Sequence, residues 1–463
     1  MVLVVAVGLA LAYAGGVLGA GSPAPGSTAQ LTLAMSDGVS LACSVTYPED
    51  VPNGTIAGGG HAGVVLFPGF GQTHDDLLPA AQAFSGDGYE ALACDPRGTG
   101  ASEGKFGLAG PRDVQDAREL VAWLSGQLGN DDIGGFGLSL GGVEVWEAAT
   151  SGVPFKAIVP GAAWTDLGRA LLPGGVWDDG VAAELAHAAP AGKWDPSLAQ
   201  ARADLLAGSN SAGVQALEAS RSTRTKLHAL TTPTLILQGR HDFSFDLDQA
   251  LAAYRRLRGP HFLYAGDLGA PPAANPAAEP ALYLKAANTF FDEYLKASPG
   301  AKPAAHVELA HDPWDGLVTP LAALPTTRGS SVTLPGTAKL TRGGSVSRSA
   351  FLTGGALETW GDGSVVVRYS GAAKWTQLVA TVSVQGQSTP VTVGAAPVTK
   401  PAGLLRIPLL DEAALLPRDQ RLVVTVGGTS AAGGFTDDVP AGAAITIGRV
   451  TLNLSLLPLA VSR

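Results

Sequence analysis

Short apolar runs alternate with amphipathic stretches through the first two-thirds of the chain. The valine, alanine and leucine residues at positions 114, 117, 120, 121, 124 and 128 recur at the spacing of one buried helix face. Apolar runs bounded by turn residues are typical of buried strands, and they lie at residues 64–67, 91–94, 133–136, 233–239 and 261–265. Strands that alternate with helices predict an α/β fold with a mostly parallel sheet.

Three further segments belong to this predicted domain, which we place at residues 29–298. Residues 29–47 predict an opening β-hairpin that turns at the Ser-Asp-Gly sequence of residues 36–38. Residues 164–232 are mostly helical in pattern, with Pro-Gly breaks, and predict an insertion between strands. A closing helix is predicted at residues 282–295.

The pattern changes at residues 298–303, where the sequence SPGAKP is typical of a linker. Period-two alternation then recurs in short runs separated by turn residues, at residues 331–334, 364–369, 378–384, 404–409 and 421–426. This spacing predicts a C-terminal β-sandwich domain at residues 303–463. Two domains are also expected because 463 residues exceed the usual size of one core.

The N-terminal residues 1–21 are apolar or small, and a Ser-Pro-Gly-rich sequence follows them. This predicts that residues 1–28 are a signal peptide or, if uncleaved, an N-terminal membrane anchor. No Lys or Arg precedes the apolar run, which is unusual for a signal peptide. We expect a secreted or extracytoplasmic protein whose mature chain begins between Gly21 and Ala29, with membrane contact only if the segment stays attached.

A nucleophile motif follows the strand at residues 133–136. Residues 137–141 read GLSLG, which is the G-x-S-x-G turn between a strand and a helix of an α/β-hydrolase. The sharp turn exposes the Ser139 hydroxyl, and glycines allow the backbone to make it. In this fold the backbone amides of Phe70, in the turn after an earlier strand, and of Leu140 would form the oxyanion hole.

Two further turns support this interpretation. Residues 95–102 carry a D-x-R-G-x-G-x-S sequence typical of these hydrolases. The competing doubly wound nucleotide-binding fold would need a G-x-G-x-x-G after the first strand, and none is present. Asp242 follows the strand at residues 233–239 and is the candidate acid that would orient a catalytic imidazole. Asp242 could instead cap a helix, and Asp246 and Asp248 compete for either role.

The base of the expected triad is missing from its usual place. The triad order in this fold is Ser, acid, His, and the His normally follows a glycine after the next strand. That strand is at residues 261–265, and the corresponding loop reads Gly269-Ala270. No histidine lies between His261 and His306.

By these motifs the chain resembles the Xaa-Pro dipeptidyl-peptidase and cocaine-esterase-like hydrolases. The segment FFDEYL at residues 290–295 also resembles the closing helix of their hydrolase domain. The resemblance implies a lid made by residues 164–232, a jelly-roll-like C-terminal domain, Ser139 as nucleophile and Asp242 as acid. It also implies a histidine where this chain has Ala270.

Other histidines are candidates for a relocated base. His241 is next to the acid, His74 follows the oxyanion turn, and His306 and His311 begin the C-terminal domain. Each has an ordinary structural interpretation as well: a turn neighbour, a helix-start residue, and surface or linker residues. His61, His187, His228 and His261 have no positional argument.

The composition of the chain indicates which classes of binding partner are not expected. The net charge is −10 and there is no basic run, so nucleic-acid binding is not expected. The two cysteines, Cys43 and Cys94, have no metal-site spacing, and we predict neither a metal nor another cofactor. The family fold would place their strands side by side, so they are either a disulfide or two buried thiols. Tryptophans of the insertion, at positions 164, 177 and 194, either line the substrate pocket or belong to the core.

Two functions therefore stay open. The first is an exported serine hydrolase that cleaves an ester or amide of a small molecule or peptide through a Ser139 acyl-enzyme, impaired by the loss of the triad His. The second is a non-catalytic α/β-hydrolase-like protein that keeps the pocket for binding or structure. The retained Ser139 and Asp242 favour the first, and Ala270 favours the second.

Overall fold

The computed structural model describes residues 26–49, 61–296, 306–351, 357–436 and 439–457. Most of the predicted leader and the whole of the predicted linker lie outside these ranges. Within them, no helix is both long enough and apolar enough to cross a lipid bilayer.

A ten-stranded mixed sheet forms the first layer of the molecule. Its central strands are parallel and fully buried, because helices cover both faces. In chain order the strands are β1 (Thr28–Ala34), β2 (Ser40–Thr46), β3 (Ala62–Phe67), β4 (Tyr89–Cys94), β5 (Ile133–Leu138), β6 (Ala157–Gly161), β7 (Thr234–Gly239), β8 (His261–Gly266), β9 (Val307–Ala310) and β10 (Val318–Leu321). Their order across the sheet is β1-β2-β4-β3-β5-β6-β7-β8-β9-β10, with β1, β2 and β10 antiparallel to their neighbours.

Nine α-helices surround this sheet in the described ranges. Four of them, α4 to α7, form the predicted insertion between β6 and β7. The helices are α1 (Leu78–Gly86), α2 (Pro111–Leu128), α3 (Leu140–Thr150), α4 (Leu167–Leu171), α5 (Asp179–Ala186), α6 (Ala199–Leu206), α7 (Ala212–Ser220), α8 (Leu247–Tyr254) and α9 (Glu279–Leu295). The apolar stripe predicted from residues 117–128 is buried in the hydrolase core, on the inner face of α2.

The C-terminal domain is an antiparallel β-sandwich, as predicted. Its strands are β11 (Arg328–Leu334), β12 (Ala338–Thr341), β13 (Val346–Phe351), β14 (Leu357–Ala373), β15 (Gln377–Val384), β16 (Pro390–Pro397), β17 (Gly403–Glu412), β18 (Leu415–Leu416), β19 (Arg421–Gly427) and β20 (Ala444–Leu457). One sheet has the order β11-β20-β14-β17 with β12 and β18 alongside, and the other has the order β13-β19-β15-β16. Their inward residues form one apolar core.

The boundary between the two domains comes later in the chain than the sequence predicts. The prediction started the sandwich at residue 303, whereas β9 and β10 still pair with the hydrolase sheet and the first sandwich strand begins at Arg328. Both strands are short, four residues each, and their composition does not distinguish one sheet from the other. Pairing with β8 is a long-range choice that the local pattern cannot reveal.

The two cysteines link the antiparallel strand β2 to its neighbour β4 at one side of the sheet. Cys43 of β2 and Cys94 of β4 are directly opposite each other in the antiparallel register. Their sulfur atoms are 2.08 Å apart, so they form a disulfide. Of the two alternatives left open by the sequence, the structure has the disulfide.

Candidate active site

Ser139 lies in a strained turn between β5 and α3. Its φ and ψ angles are 56° and −126°, a conformation that L-residues rarely adopt outside functional turns. The turn depends on two glycines: a Cβ on Gly137 would come within 2.4 Å of the Gly141 carbonyl carbon, and a Cβ on Gly141 within 1.9 Å of the Phe67 oxygen. The side chain of Ser139 is partly exposed, as a nucleophile at a sheet edge must be.

The turn after β3 packs directly against this serine. A Cβ on Gly69 would lie 3.5 Å from the Ser139 Cβ, so the backbone there passes beside Ser139. The Gly69 N–H donates to Gln72 Oε1 at 2.9 Å, which braces the turn. Leu140 is the first residue of α3, where an N–H has no intrahelical acceptor. The segments carrying the Phe70 and Leu140 amides thus both lie next to Ser139, while their role as an oxyanion hole remains a prediction.

Asp242 is buried just beyond the end of β7, with 1% of its surface exposed. Its Oδ1 accepts the amides of Ser244 at 3.0 Å and Phe245 at 2.9 Å. Its Oδ2 has no side-chain hydrogen-bond partner among the described residues, and the Ala270 backbone amide is the polar group near it. Burial raises the pKa of Asp242 to about 8, and the charge of Glu184 adds to this against the opposing effect of the Phe245, Ala270 and Ser244 amides.

The unpartnered oxygen faces the loop in which the sequence lacks a histidine. A Cβ added to Gly269 would lie 2.3 Å from Asp242 Oδ2. Ala270 follows directly, and Asp242 and Pro272 form an isolated antiparallel bridge. The carboxylate is therefore aimed at the place where the resemblance puts an imidazole ring, and only a methyl group is available at residue 270.

The competing aspartates have other partners. Asp246 precedes α8 and accepts the Asp411 amide at 3.0 Å. Asp248 is 2.7 Å from the Arg224 guanidinium and 2.8 Å from that of Arg169. These contacts are structural, so Asp242 is the aspartate of the three with a free carboxylate oxygen facing the loop after β8.

The candidate replacement bases are engaged elsewhere. His74 is buried, and its ring nitrogens lie 2.7 Å from Asp95 Oδ1 and 2.8 Å from Gln30 Oε1. His241 lies between two carboxylates, 3.0 Å from Asp267 and 3.4 Å from Asp312. Although burial lowers the pKa of His241, its hydrogen bonds to these two carboxylates give a net raised pKa.

The two histidines after the linker are also occupied. His306 stacks on Phe262 and lies 3.4 Å from the His261 carbonyl oxygen. His311 bonds Asp315 at 2.9 Å and Thr319 at 3.0 Å. In the described chain the Ser139 hydroxyl forms no hydrogen bond, and none of the four candidates reaches it.

Glu184 is a site residue that the sequence did not single out. It lies on α5 of the insertion and shares Ser244 with Asp242, because the Ser244 side chain hydrogen-bonds Glu184. Burial raises the pKa of Glu184 to about 7, with the Ser244 hydrogen bond opposing the rise. No motif marks it, since the contact arises only when the insertion folds back over the sheet edge.

Two of the three tryptophans of the insertion are core residues, and the third, Trp177, is partly buried against the same core. Trp164 is 1% exposed, stacks on Phe70 at 6.2 Å between ring centroids, and donates its indole N–H to the Arg221 carbonyl oxygen at 2.8 Å. Trp194 is buried against Phe106. Both are core residues, and Trp164 supports the oxyanion turn from behind.

Residues of the C-terminal domain contact the loop that carries Asp242 (the acid loop, residues 240–243) on both sides of that aspartate. The Arg240 guanidinium is fully buried and donates to the Ala413 carbonyl oxygen at 2.6 Å and to the Glu358 carboxylate. The Ala413 N–H returns a bond to the Arg240 carbonyl oxygen at 3.0 Å. Phe243 joins a mixed apolar cluster with sandwich residues such as Val393. The β-sandwich therefore fixes the backbone that carries the candidate acid.

In the ranges that the structure describes, no three or more His, Cys, Asp or Glu side chains are placed to hold a metal ion.

A family model described as X-Pro dipeptidyl-peptidase (S15 family) matches residues 37–269, which is half of the chain. The chain belongs to this family. The matched segment includes the oxyanion turn, the Ser139 elbow and Asp242, and it ends one residue before Ala270. The predicted family is thereby confirmed, and the observed sheet and sandwich agree with the predicted fold class.

Individual relatives agree. The chain is 44% identical over 89 residues to the cocaine esterase of Rhodococcus sp. (strain MB1 Bresler), a match that covers 19% of this chain and only 15% of that enzyme. A second curated relative, from Escherichia coli, is matched over 47% of its length, so the chain spans less than half of each of these two proteins.

Solved structures resemble the whole chain at low identity. A CocE/NonD family hydrolase from Staphylococcus aureus superposes with a TM-score of 0.70 at 15% identity, covering 92% of this chain and 93% of that one. An α-amino acid ester hydrolase gives a TM-score of 0.64 at 15% identity, covering 95% and 98%. These likenesses establish the shared fold of hydrolase sheet and β-sandwich.

Proposed function

We propose that the protein is an exported serine hydrolase that cleaves an ester or amide of a small molecule or peptide through an acyl-enzyme on Ser139. The observation that carries this proposal is the strained elbow itself. A serine at φ 56° costs of order 1–3 kcal/mol and is retained where exposure of the hydroxyl is useful. Ser139 Oγ would attack the carbonyl carbon, and the Phe70 and Leu140 amides would stabilise the oxyanion.

The rate of the protein as it stands is expected to be low. With Ala270 in place of the usual base, the Ser139 hydroxyl is a weak nucleophile at neutral pH. Loss of one triad member typically costs on the order of 10⁴ to 10⁶ in rate and leaves oxyanion and binding effects. Asp242 would orient a ring that the chain itself does not supply.

A second function is favoured by the same orphaned carboxylate. If no base completes the site, the protein is a non-catalytic member that retains the pocket for ligand binding. The β-sandwich grip on the acid loop and the retained elbow would then serve only structure.

Ser139-dependent chemistry separates the two functions. We would incubate the protein with a nitrophenyl acetate or butyrate ester and follow both nitrophenol release and the mass of the intact chain. The proposal expects slow release and an acyl mass increase that Ser139→Ala abolishes. Thr150→Ala, at the C-terminal end of the same helix α3, is the matched control and should retain both. Equal rates and no adduct in the natural protein and Ser139→Ala would support the non-catalytic function.

Export is tested separately. N-terminal sequencing of the protein secreted by its host should find a mature chain that begins between Gly21 and Ala29. A chain recovered in the membrane and starting at Met1 would indicate an anchor instead.

A further inference from the structure

The Asp242 carboxylate lacks a side-chain hydrogen-bond partner in the folded protein. One oxygen accepts two backbone amides, while Oδ2 is buried, has no side-chain hydrogen-bond partner within the described residues and has only the Ala270 backbone amide near enough to favour its charge. A buried ionisable oxygen without a partner costs free energy, so it is retained at a stability penalty. The oxygen points to the Gly269–Ala270 loop, where the side chains are a hydrogen and a methyl group.

The position beside Ala270 can be reached from outside. Ala270 and Ser139 are both partly exposed, although Asp242 is buried. All three follow the carboxyl ends of parallel strands, so they lie along one edge of the sheet. Ser139 and Asp242 follow β5 and β7, which are separated by β6, so their backbones are about 10 Å apart at roughly 4.8 Å per strand. A small ring placed between the two side chains would span this separation with a hydrogen bond on each side.

We propose that this site takes an imidazole ring that the chain does not contain, supplied by the substrate or by a small molecule, and that this ring serves Ser139 as base. The inference rests on the proposed function, since it requires Ser139 as nucleophile. A ring bound here must donate an N–H to the ionised Oδ2 of Asp242 and accept a proton from Ser139 at the same time. Burial raises the pKa of Asp242, and the N–H bond from the ring favours its ionised form, so the ring brings Asp242 into the state that it needs. Neutral imidazole has a donor and an acceptor on opposite sides, whereas an ammonium group has only donors and a carboxylate only acceptors.

The proton and bond changes balance without any further reactant. The ring nitrogen facing Ser139 takes the hydroxyl proton while Oγ bonds to the acyl carbon, and the carbonyl electron pair moves onto oxygen. The imidazolium then gives this proton to the leaving alcohol or amine as its bond to the acyl carbon breaks. Water hydrolyses the acyl-enzyme by the same two transfers, with the ring as base and then as acid, and Asp242 accepts the other ring N–H throughout.

Free imidazole tests the first source of the ring. Hydrolysis of nitrophenyl acetate would be followed at rising imidazole concentration, with the rate for Ser139→Ala subtracted to remove the reaction of imidazole itself. The proposal expects a saturable rise of tenfold or more in the Ser139-dependent rate. Ala270→Leu, which fills the position without a titrating group, should abolish the rise. Ala274→Leu, an exposed position in the same loop, should retain it.

A substrate pair tests the second source. Two peptide nitrophenyl esters would differ only by His or Phe in the residue preceding the acyl residue. A ring supplied by the substrate predicts a kcat/KM at least tenfold higher for the His ester in the natural protein, and an equal kcat/KM for the two esters in Ala270→Leu. Circular dichroism of each variant confirms that it folds.

The outcomes separate this inference from the function on which it rests. A rise in either arm that needs both Ser139 and the open position at Ala270 supports the inference and identifies the source. Ser139-dependent turnover that neither free imidazole nor the His ester changes would overturn the inference and leave the proposed function standing. No Ser139-dependent turnover under any condition would overturn both.

Discussion

Replacing Asp242 by asparagine should stabilise the protein, and increasingly so as the pH rises. In the unfolded chain the carboxyl ionises near pH 3.9, whereas in the folded protein burial raises the pKa of Asp242 to about 8. Between these values the folded state holds a proton that the unfolded state has lost, so rising pH lowers the free energy of unfolding. The slope is about 1.4 kcal/mol per pH unit, and about four units give a loss of roughly 6 kcal/mol by pH 8.

The asparagine side chain of the Asp242→Asn variant keeps an amide oxygen for the Ser244 and Phe245 amides but cannot ionise. We therefore expect the difference in unfolding free energy between Asp242→Asn and the natural protein to grow by about 4 to 6 kcal/mol between pH 4 and pH 8. Other titrating groups are common to both proteins and largely cancel.

Urea titrations at pH 4.5, 6, 7 and 8 measure this difference. Asp419→Asn, at an exposed aspartate, is the matched control that makes the same change of charge away from the site. A difference for Asp242→Asn that is also flat with pH would refute the reasoning, because the carboxylate would then be ionised and compensated in the folded protein.

Two further predictions concern the framework of the site. Replacing Cys43 and Cys94 by serine opens a crosslink of sequence separation 51, and loop-closure entropy predicts a free energy of unfolding lower by about 4 kcal/mol in urea titration; a loss below about 1 kcal/mol would count against that mechanism. Arg240→Met leaves the Glu358 carboxylate buried without its partner and should cost about 3–5 kcal/mol, with part of the loss recovered in the double variant with Glu358→Gln; losses that simply add would show that the pair is not coupled.

Much of the hydrolase domain could be predicted from its sequence because local and global signals agree. The strands at residues 133–138 and 261–266 are short apolar runs between turn residues, and both are fully or almost fully buried in the parallel sheet. The turn at Ser139 can be recognised as a sequence motif because a Cβ at either flanking glycine would clash with the backbone, so only glycine fits there. These features depend on neighbours in sequence.

The five sandwich strands predicted from the sequence all lie within observed strands, namely β11, β14, β15, β17 and β19, whereas the other sandwich strands were not predicted. Strand β20 at residues 444–457 alternates in two phases, with buried apolar residues at 445 and 447 and, after Gly448 and Arg449, at 450, 452, 454 and 456, and this alternation would have identified it. Strands β9 and β10 could not be assigned to the first sheet in the same way, because their partner is chosen by long-range pairing.

Some residues of the candidate site were predicted from the sequence and others were not, for the same reason. Ser139, Asp242 and the gap at Ala270 were predicted from motif and order, and the structure places the carboxylate facing that gap. Glu184 and Gln72 were not predicted, because their contacts arise from the insertion and from a turn that folds back on itself. The disulfide was left open because two cysteines on predicted strands do not reveal whether the strands are neighbours.

In our proposal the serine site has its nucleophile, its acid and its oxyanion amides and lacks only its base. The most direct measurement is kcat/KM on a nitrophenyl ester for the natural protein, Ala270→His and Ser139→Ala. The account predicts that Ala270→His raises kcat/KM by about 100-fold or more, out of the 10⁴ to 10⁶ that a missing triad member typically costs, and that Ser139→Ala in this background removes the gain. If Ala270→His and Ser139→Ala both leave the rate unchanged, or if the natural protein is already fast and depends on His74 or His241, the claim is wrong.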